Sequence, residues 1–161
     1  MTPDAAAALV VRPMREDEFE RWHPFLVAGY ARDLVENGGL DPQLAAEKVD
    51  ADFARFLPDG FATEDNFFFA LEAGDERVGQ LWLADRASDL GRTLFVFDVS
   101  VDERFRGRGF GRAAMEFAEE EARRRGLPAV ALNVFGGNEV ARGLYRSLGY
   151  REDAVYMTKR L

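Results

Sequence analysis

Residues 101–115 read VDERFRGRGFGRAAM. The segment before it, RTLFVFDVSV at 92–101, has the apolar and β-branched character of a strand. The segment that begins inside it, GFGRAAMEFAEEEARRRG at 109–126, has the period of a helix, with Phe110, Ala114, Phe117 and Ala118 on one stripe. Between them Gly107, Gly109 and Gly111 are interleaved with Arg106, Arg108, Phe110 and Arg112. Glycines at a strand-to-helix turn let the backbone come close to a ligand. The unpaired N–H groups of the first helical turn then point at that ligand, at the positive end of the helix dipole, and this suits an anion such as phosphate. Arginines at the rim add charge and forked donors. The spacing is not G-x-G-x-x-G, because Arg112 stands three residues after Gly109. No G-x-x-x-x-G-K-[ST] occurs anywhere in the chain.

Working outward, residues 9–14 read as a first strand. Residues 15–39 form a helix stopped by Asn37-Gly38-Gly39, with Pro24 as a kink or as the start of a second segment. Residues 41–60 open on Asp41 and Pro42, an N-cap followed by a first-turn proline, and give a second helix that Pro58 and Gly60 end. Three strand-like runs follow at 66–73, 77–85 and 92–101, joined by short polar turns, as in an antiparallel meander. After the helix at 109–126 come a strand at 129–135, a short helix at 138–149 and strand-like alternation to the end. The order is β-α-α-β-β-β-α-β-α-β, a mixed sheet with helices on its faces. Residues 1–8 read as a loose alanine-rich tail, and 1–161 as a single domain.

The totals restrict function. The formal charge is -8 over 161 residues, which argues against a general nucleic-acid binder and suits a cationic partner such as an amine. There is no cysteine, so disulfides, thiolate metal sites and a cysteine nucleophile are excluded. The N-terminus is a poor signal peptide, and no apolar run approaches the ~20 residues of a membrane span. The expected setting is the cytoplasm, without membrane, nucleic-acid or metal partners.

The run Arg106-x-x-Gly109-x-Gly111 resembles the acyl-CoA pyrophosphate loop of the GCN5-related N-acetyltransferase (GNAT) family. The likeness extends to Asn138-x-x-Ala141-x-x-Leu144-Tyr145 and to Leu148-Gly149-Tyr150, in the family's order. Together these motifs span about residues 94–151. The chain is also similar to small bacterial members with a YDF-like fourth strand, here Phe97-Asp98-Val99. The resemblance implies an α/β fold, the GNAT fold. A mixed, mostly antiparallel sheet of about six to seven strands would be flanked by four helices. It implies transfer of an acetyl group from acetyl-CoA to a primary amine by direct attack. A non-catalytic acyl-CoA-binding regulatory module is the alternative. The amine's identity and the oligomeric state, a homodimer included, stay open.

The resemblance also assigns roles. Arg106, Gly107, Arg108, Gly109, Phe110, Gly111 and Arg112 would cradle the pyrophosphate. Val99, Ser100 and Val101 would offer backbone groups to the pantetheine arm, with the amide near Val99 facing the thioester oxygen. Asn138 caps the last helix and, on the family reading, also bonds the pantetheine. Tyr145 is either the acid for the leaving thiolate or a packed tyrosine. A phenol near pKa ~10 giving a proton to a thiolate near ~8.5 costs only about 2 kcal/mol before the site shifts either group. Asp98 is the expected base or a surface carboxylate, with Glu72 and Asp85 as other candidates; a bulge in its strand would leave its facing open. His23 reads as structural. Tyr30, Phe53, Trp82 and Phe97 would wall the acceptor site, or simply form core.

Overall fold

A computed structural model describes residues 8–161. The expected tail at 1–8 lies outside the described residues except for Ala8, which is exposed coil. The elements are β1 (Leu9–Pro13), α1 (Glu16–Glu36), α2 (Pro42–Phe56), β2 (Asn66–Ala73), β3 (Glu76–Ser88), β4 (Gly91–Val101), α3 (Phe110–Arg124), β5 (Val130–Leu132) and α4 (Glu139–Ser147). Short 3₁₀ turns at Gly60–Ala62 and Glu103–Phe105 link them. The strands lie side by side in chain order. The first four pair antiparallel, and β5 joins β4 in parallel.

Both faces of the sheet are covered. Leu71, Val78, Leu81, Leu83, Leu94 and Val96 point to one face, where α3 packs with Phe110, Ala114, Met115 and Ala118. Phe68 and Trp82 point to the other, beneath Phe19, Trp22 and Leu26 of α1. Leu34 of α1 packs with Ala45 and Val49 of α2. Pro24 lies inside α1 without ending it. An ionic knot fixes the start of α1 to the sheet. Arg12 of β1 donates to Glu18 at 2.7 and 2.8 Å and to Glu72 of β2 at 2.5 Å. These bonds hold the Glu18 carboxyl at about 2. The stability it supplies is therefore present above its ordinary 4.5 and is lost as the pH falls toward about 2.

One expectation needs correction. Among the described residues the sheet has five strands, because residues 151–161 form no strand. Alternation marks a segment that could pair, but pairing needs an edge. Here Glu152 is drawn to Arg142 and Arg146 of α4, at 2.9 and 2.7 Å. Arg160 donates to the carbonyl of Gly39, and Val155, Tyr156 and Met157 are exposed. The second helix stops at Phe56, two residues before Pro58, in keeping with the expected stop at Pro58 and Gly60. No helix of the described residues is long and apolar enough to cross a membrane.

Two features of β4 position everything that follows. Its pairing with β3 shifts by one residue at Phe97: Trp82 faces Asp98, whereas Leu83 faces Val96. Phe97 is the extra residue of a bulge, which bends the strand. Its pairing with β5 ends at Val96, while its pairing with β3 continues to Val101. The β5-side edge of residues 97–101 is thus left without a strand partner. Gly79, opposite Val101, lets β3 and β4 close together: a Cβ there would stand 2.1 Å from the Ser100 carbonyl oxygen. We expect Gly79→Ala to cost about 1–3 kcal/mol in urea unfolding, as overpacking does. An unchanged midpoint would show that β3 and β4 can part at this point without penalty.

Candidate active site

Beyond Val101 the chain turns through Glu103–Phe105 and enters the glycine-rich loop. Gly107 and Gly109 take positive φ, +75° and +84°, which side chains rarely adopt. Gly109 is the N-cap of α3 and offers no side chain to its first turn. Among the described residues, no protein acceptor takes a hydrogen bond from the backbone N–H groups of residues 107–112. The first such bond in the helix comes from Ala113 to Gly109. Except for buried Phe110 and half-buried Gly111, these residues are exposed. Consecutive unsatisfied amides at a helix start form a cradle of positive potential.

The arginines fit that reading. Arg106 donates to the Val101 carbonyl at 3.1 Å, Arg108 to the Arg104 carbonyl at 3.3 Å, and Arg112 to Ser147 Oγ at 2.6 Å. Arg104 and Arg108 lie over the Phe105 ring. Among the described residues, none of the four is paired with a carboxylate. Gly111 serves packing: its missing Cβ would sit 3.5 Å from Leu144, where α3 meets α4.

The free edge of β4 leads from the loop back to the bulge. Val99 and Val101 turn their side chains into the α3-side core. Ser100 and Asp98 stand on the other face, opposite Gln80 and Trp82. Ser100 Oγ donates to Asp98 Oδ2 at 2.9 Å and accepts from Gln80 Nε2 at 2.6 Å. A relay, Gln80 to Ser100 to Asp98, therefore sets the carboxylate. Asp98 is half-buried as a residue, but its carboxyl is crowded by protein. Loss of water raises its pKa to about 6, against the lowering pull of the Ser100 bond, and the charge of Asp33 on α1 adds to the rise.

Tyr145 lies on α4, packed against the α3-side core and 5.9 Å from the Tyr150 ring. Burial pushes its hydroxyl up to about 12, and the charge of Asp98 adds to this. The two groups, on opposite faces of the sheet, thus sense each other across the opening beyond Val96. Asn138 caps α4, accepting from Ala141 N at 3.2 Å. Arg142 is taken up by Glu139 and Glu152.

The other candidate bases are committed elsewhere. Glu72 holds Arg12, and Asp85 holds Arg92 at 2.8 Å. His23 packs between the Phe19 and Phe53 rings, 5.3 Å from each, and burial lowers its pKa. Tyr30, Phe53, Trp82 and Phe97 form a continuous aromatic row, with centroid separations of 6.2, 6.1 and 4.3 Å. Sequence reasoning missed Gln80 and Asp33. The pairing register of the meander could have supplied Gln80. The spacing Tyr30, Asp33, Asn37 along one helix face could have supplied Asp33.

An open-edged strand thus runs from an amide cradle to a carboxylate and a phenol, a layout that suits acyl transfer. Comparison with known proteins agrees. Residues 17–150 match the family model described as Acetyltransferase (GNAT) family. The chain is 30% identical to the uncharacterized N-acetyltransferase YdgE of Bacillus subtilis, over 96% of this chain and 99% of that one. It is 29% identical to the N-acetyltransferase YycN of the same organism, over 95% and 99%. The crystal structure of that putative acetyltransferase, YycN, superposes with a TM-score of 0.87, covering 96% of this chain and 99% of the other. The chain belongs to the GNAT acetyltransferase family.

The relay carries its own test. The Ser100 bond lowers the Asp98 pKa, so Ser100→Ala should move it above about 6. Carboxyl carbon shifts followed through a pH titration would show this; a fall or no change would mean that the bond does not hold the charge.

Proposed function

We propose that the chain transfers an acetyl group from acetyl-CoA to a primary amine, both bound at once. The carrying observation is the run of partner-free amides at 107–112, placed at the end of the partner-free edge of β4. A long donor with a pyrophosphate at one end and an amide-bearing arm fits both. The phosphates would take the amides of residues 107–112, with Arg106, Arg108 and Arg112 at the rim. The arm would take the edge of Val99, Ser100 and Val101 as an added strand. Its thioester would then lie at the bulge, near Asp98 and Tyr145. Asn138, whose side-chain oxygen already caps α4, keeps its amide group for the same arm.

The proton economy follows from the two displaced pKa values. The amine nitrogen attacks the thioester carbon, the N–C bond forms, and the C–S bond breaks to release a thiolate. A carboxylate of pKa about 6 cannot hold a proton taken from a resting alkylammonium near ~10, a mismatch of roughly 5 kcal/mol. The amine therefore attacks as the neutral species, its ammonium proton given up to water beforehand, and Asp98 accepts a proton only once attack has begun, when the nitrogen carries developing positive charge and is far more acidic. Tyr145 faces the opposite mismatch: a phenol at about 12 gives a proton to a thiolate near ~8.5 at a cost of about 5 kcal/mol. That is more than the unshifted phenol would need. Part of the rise comes from the charge on Asp98, so protonation of Asp98 lowers the Tyr145 pKa just as the thiolate forms. The proton then returns from Asp98 to the phenolate, which closes the cycle. No cysteine takes part.

Tyr145→Phe should lower kcat about 10- to 100-fold while leaving the Kd for acetyl-CoA within about twofold. In thiol-release assays with an amine panel, unchanged turnover would remove Tyr145 as the acid. In the same assays kcat/KM of the unmodified protein should rise with an apparent pKa near 6, as Asp98 ionises. Tight CoA binding without thiol release from any amine would favour the non-catalytic, regulatory reading instead.

A further inference from the structure

The acceptor side has a feature that amine chemistry does not call for. Beside the bulge, between the end of α2 and the β3–β4 pair, opens a cleft of about 350 Å³ lined by Arg55, Phe56, Arg86 and Phe97, among others. Its size suits a small molecule. The guanidinium of Arg86 lies over three rings at once: Phe56 at 5.4 Å, Phe95 at 4.9 Å and Phe97 at 5.0 Å. Among the described residues it has no carboxylate partner, although acids are close at hand. Asp65 and Asp85, which also line the cleft, both hold Arg92, and Arg55 is held by Asp52. Glu64 on the rim is exposed. Arg86 is thus a half-buried cation, immobilised on aromatic faces, with its forked donors uncommitted.

Its position matters more than its charge. Phe97 is the bulged residue, next in the chain to Asp98, and its ring stacks on Trp82 at 4.3 Å. The same ring forms the wall of the Arg86 cleft. A molecule whose nitrogen lies at Asp98 and whose chain crosses Phe97 therefore ends at Arg86. We infer that the acceptor is an amine carrying an anionic group, of carboxylate or phosphate type, at its far end, and that Arg86 is the residue that selects it. This rests on the acyl-transfer reading above and names its substrate class. It also accounts for a guanidinium kept free in a protein of charge -8, whose general field would repel such a molecule. The anion needs a local partner if it is to enter.

The test compares matched acceptors on the intact protein: straight-chain ω-amino carboxylates, the ω-amino alkyl phosphates of equal length, and the n-alkylamines. KM should be lowest for one anionic series at one chain length. Arg86→Gln should raise that KM roughly 10- to 100-fold, the range expected for losing a charged hydrogen-bond pair, with kcat changed far less. Arg86→Lys, which keeps the charge without the fork, should fall between. Retained acetyl-CoA affinity in each variant shows that it has folded. Whichever of the carboxylates and phosphates wins identifies the anion. Alkylamines used as well as either anionic series, or an Arg86→Gln effect equal for charged and neutral acceptors, would overturn the assignment. Calorimetric titration of the same molecules separates the two layers of the argument. Binding that needs both the anion and Arg86, without thiol release, would keep the cleft and sink the acyl transfer. Release with no dependence on the anion would do the reverse.

Discussion

The extra residue at Phe97 is the constraint on which the site depends. A regular β4 would keep its ladder on both sides and close the sheet. With two residues, Phe97 and Asp98, set against Trp82 alone, the strand bends away from β5 after Val96. That bend exposes backbone groups which a sheet normally satisfies. It also sends Phe97 and Asp98 to the same face. A hydrophobic wall and a carboxylate therefore stand side by side where strict alternation would have separated them. Gly79 makes the complementary adjustment from β3, allowing the bent strand to stay close on its other side.

The electrostatics are local, and this resolves the apparent contradiction of an arginine-rich loop on an acidic chain. The cradle at residues 107–112 needs no net positive charge, because its field comes from aligned amides and from arginines that no acid neutralises. Many other arginines are consumed in pairs, as at Arg12, Arg92 and Arg142. The same principle governs Asp98 and Tyr145. Each is moved from its ordinary pKa by burial first; the charge of Asp33 then adds to the rise at Asp98, and the charge of Asp98 adds to the rise at Tyr145. Such coupling lets one proton transfer prepare the next.

What could be read from the sequence was what is encoded locally. The strand-to-helix turn, the glycines that take positive φ, the Asn138 cap and the meander are properties of short segments, and the structure has them where the residues pointed. Features that depend on a partner strand were not legible. The alternation after Tyr150 looks like a sixth strand, yet Glu152 is drawn to α4 and the segment pairs with no edge. The facing of Asp98 turned on a bulge that leaves no mark in composition. Gln80 and Asp33 lie 18 and 65 positions from Asp98 in the chain and come to it only through strand register and helix crossing, and Arg86 reaches the neighbouring Phe97 only through ring packing.

The central claim is that backbone amides of the α3 loop and of the open β4 edge bind one extended donor. Amide hydrogen exchange, residue by residue, with and without CoA, tests it directly. The account predicts slowed exchange together at residues 107–112 and along 99–101, with little change on β1 and β2. Protection confined to the α1–α2 face, or absent from the loop at saturating CoA, would contradict it.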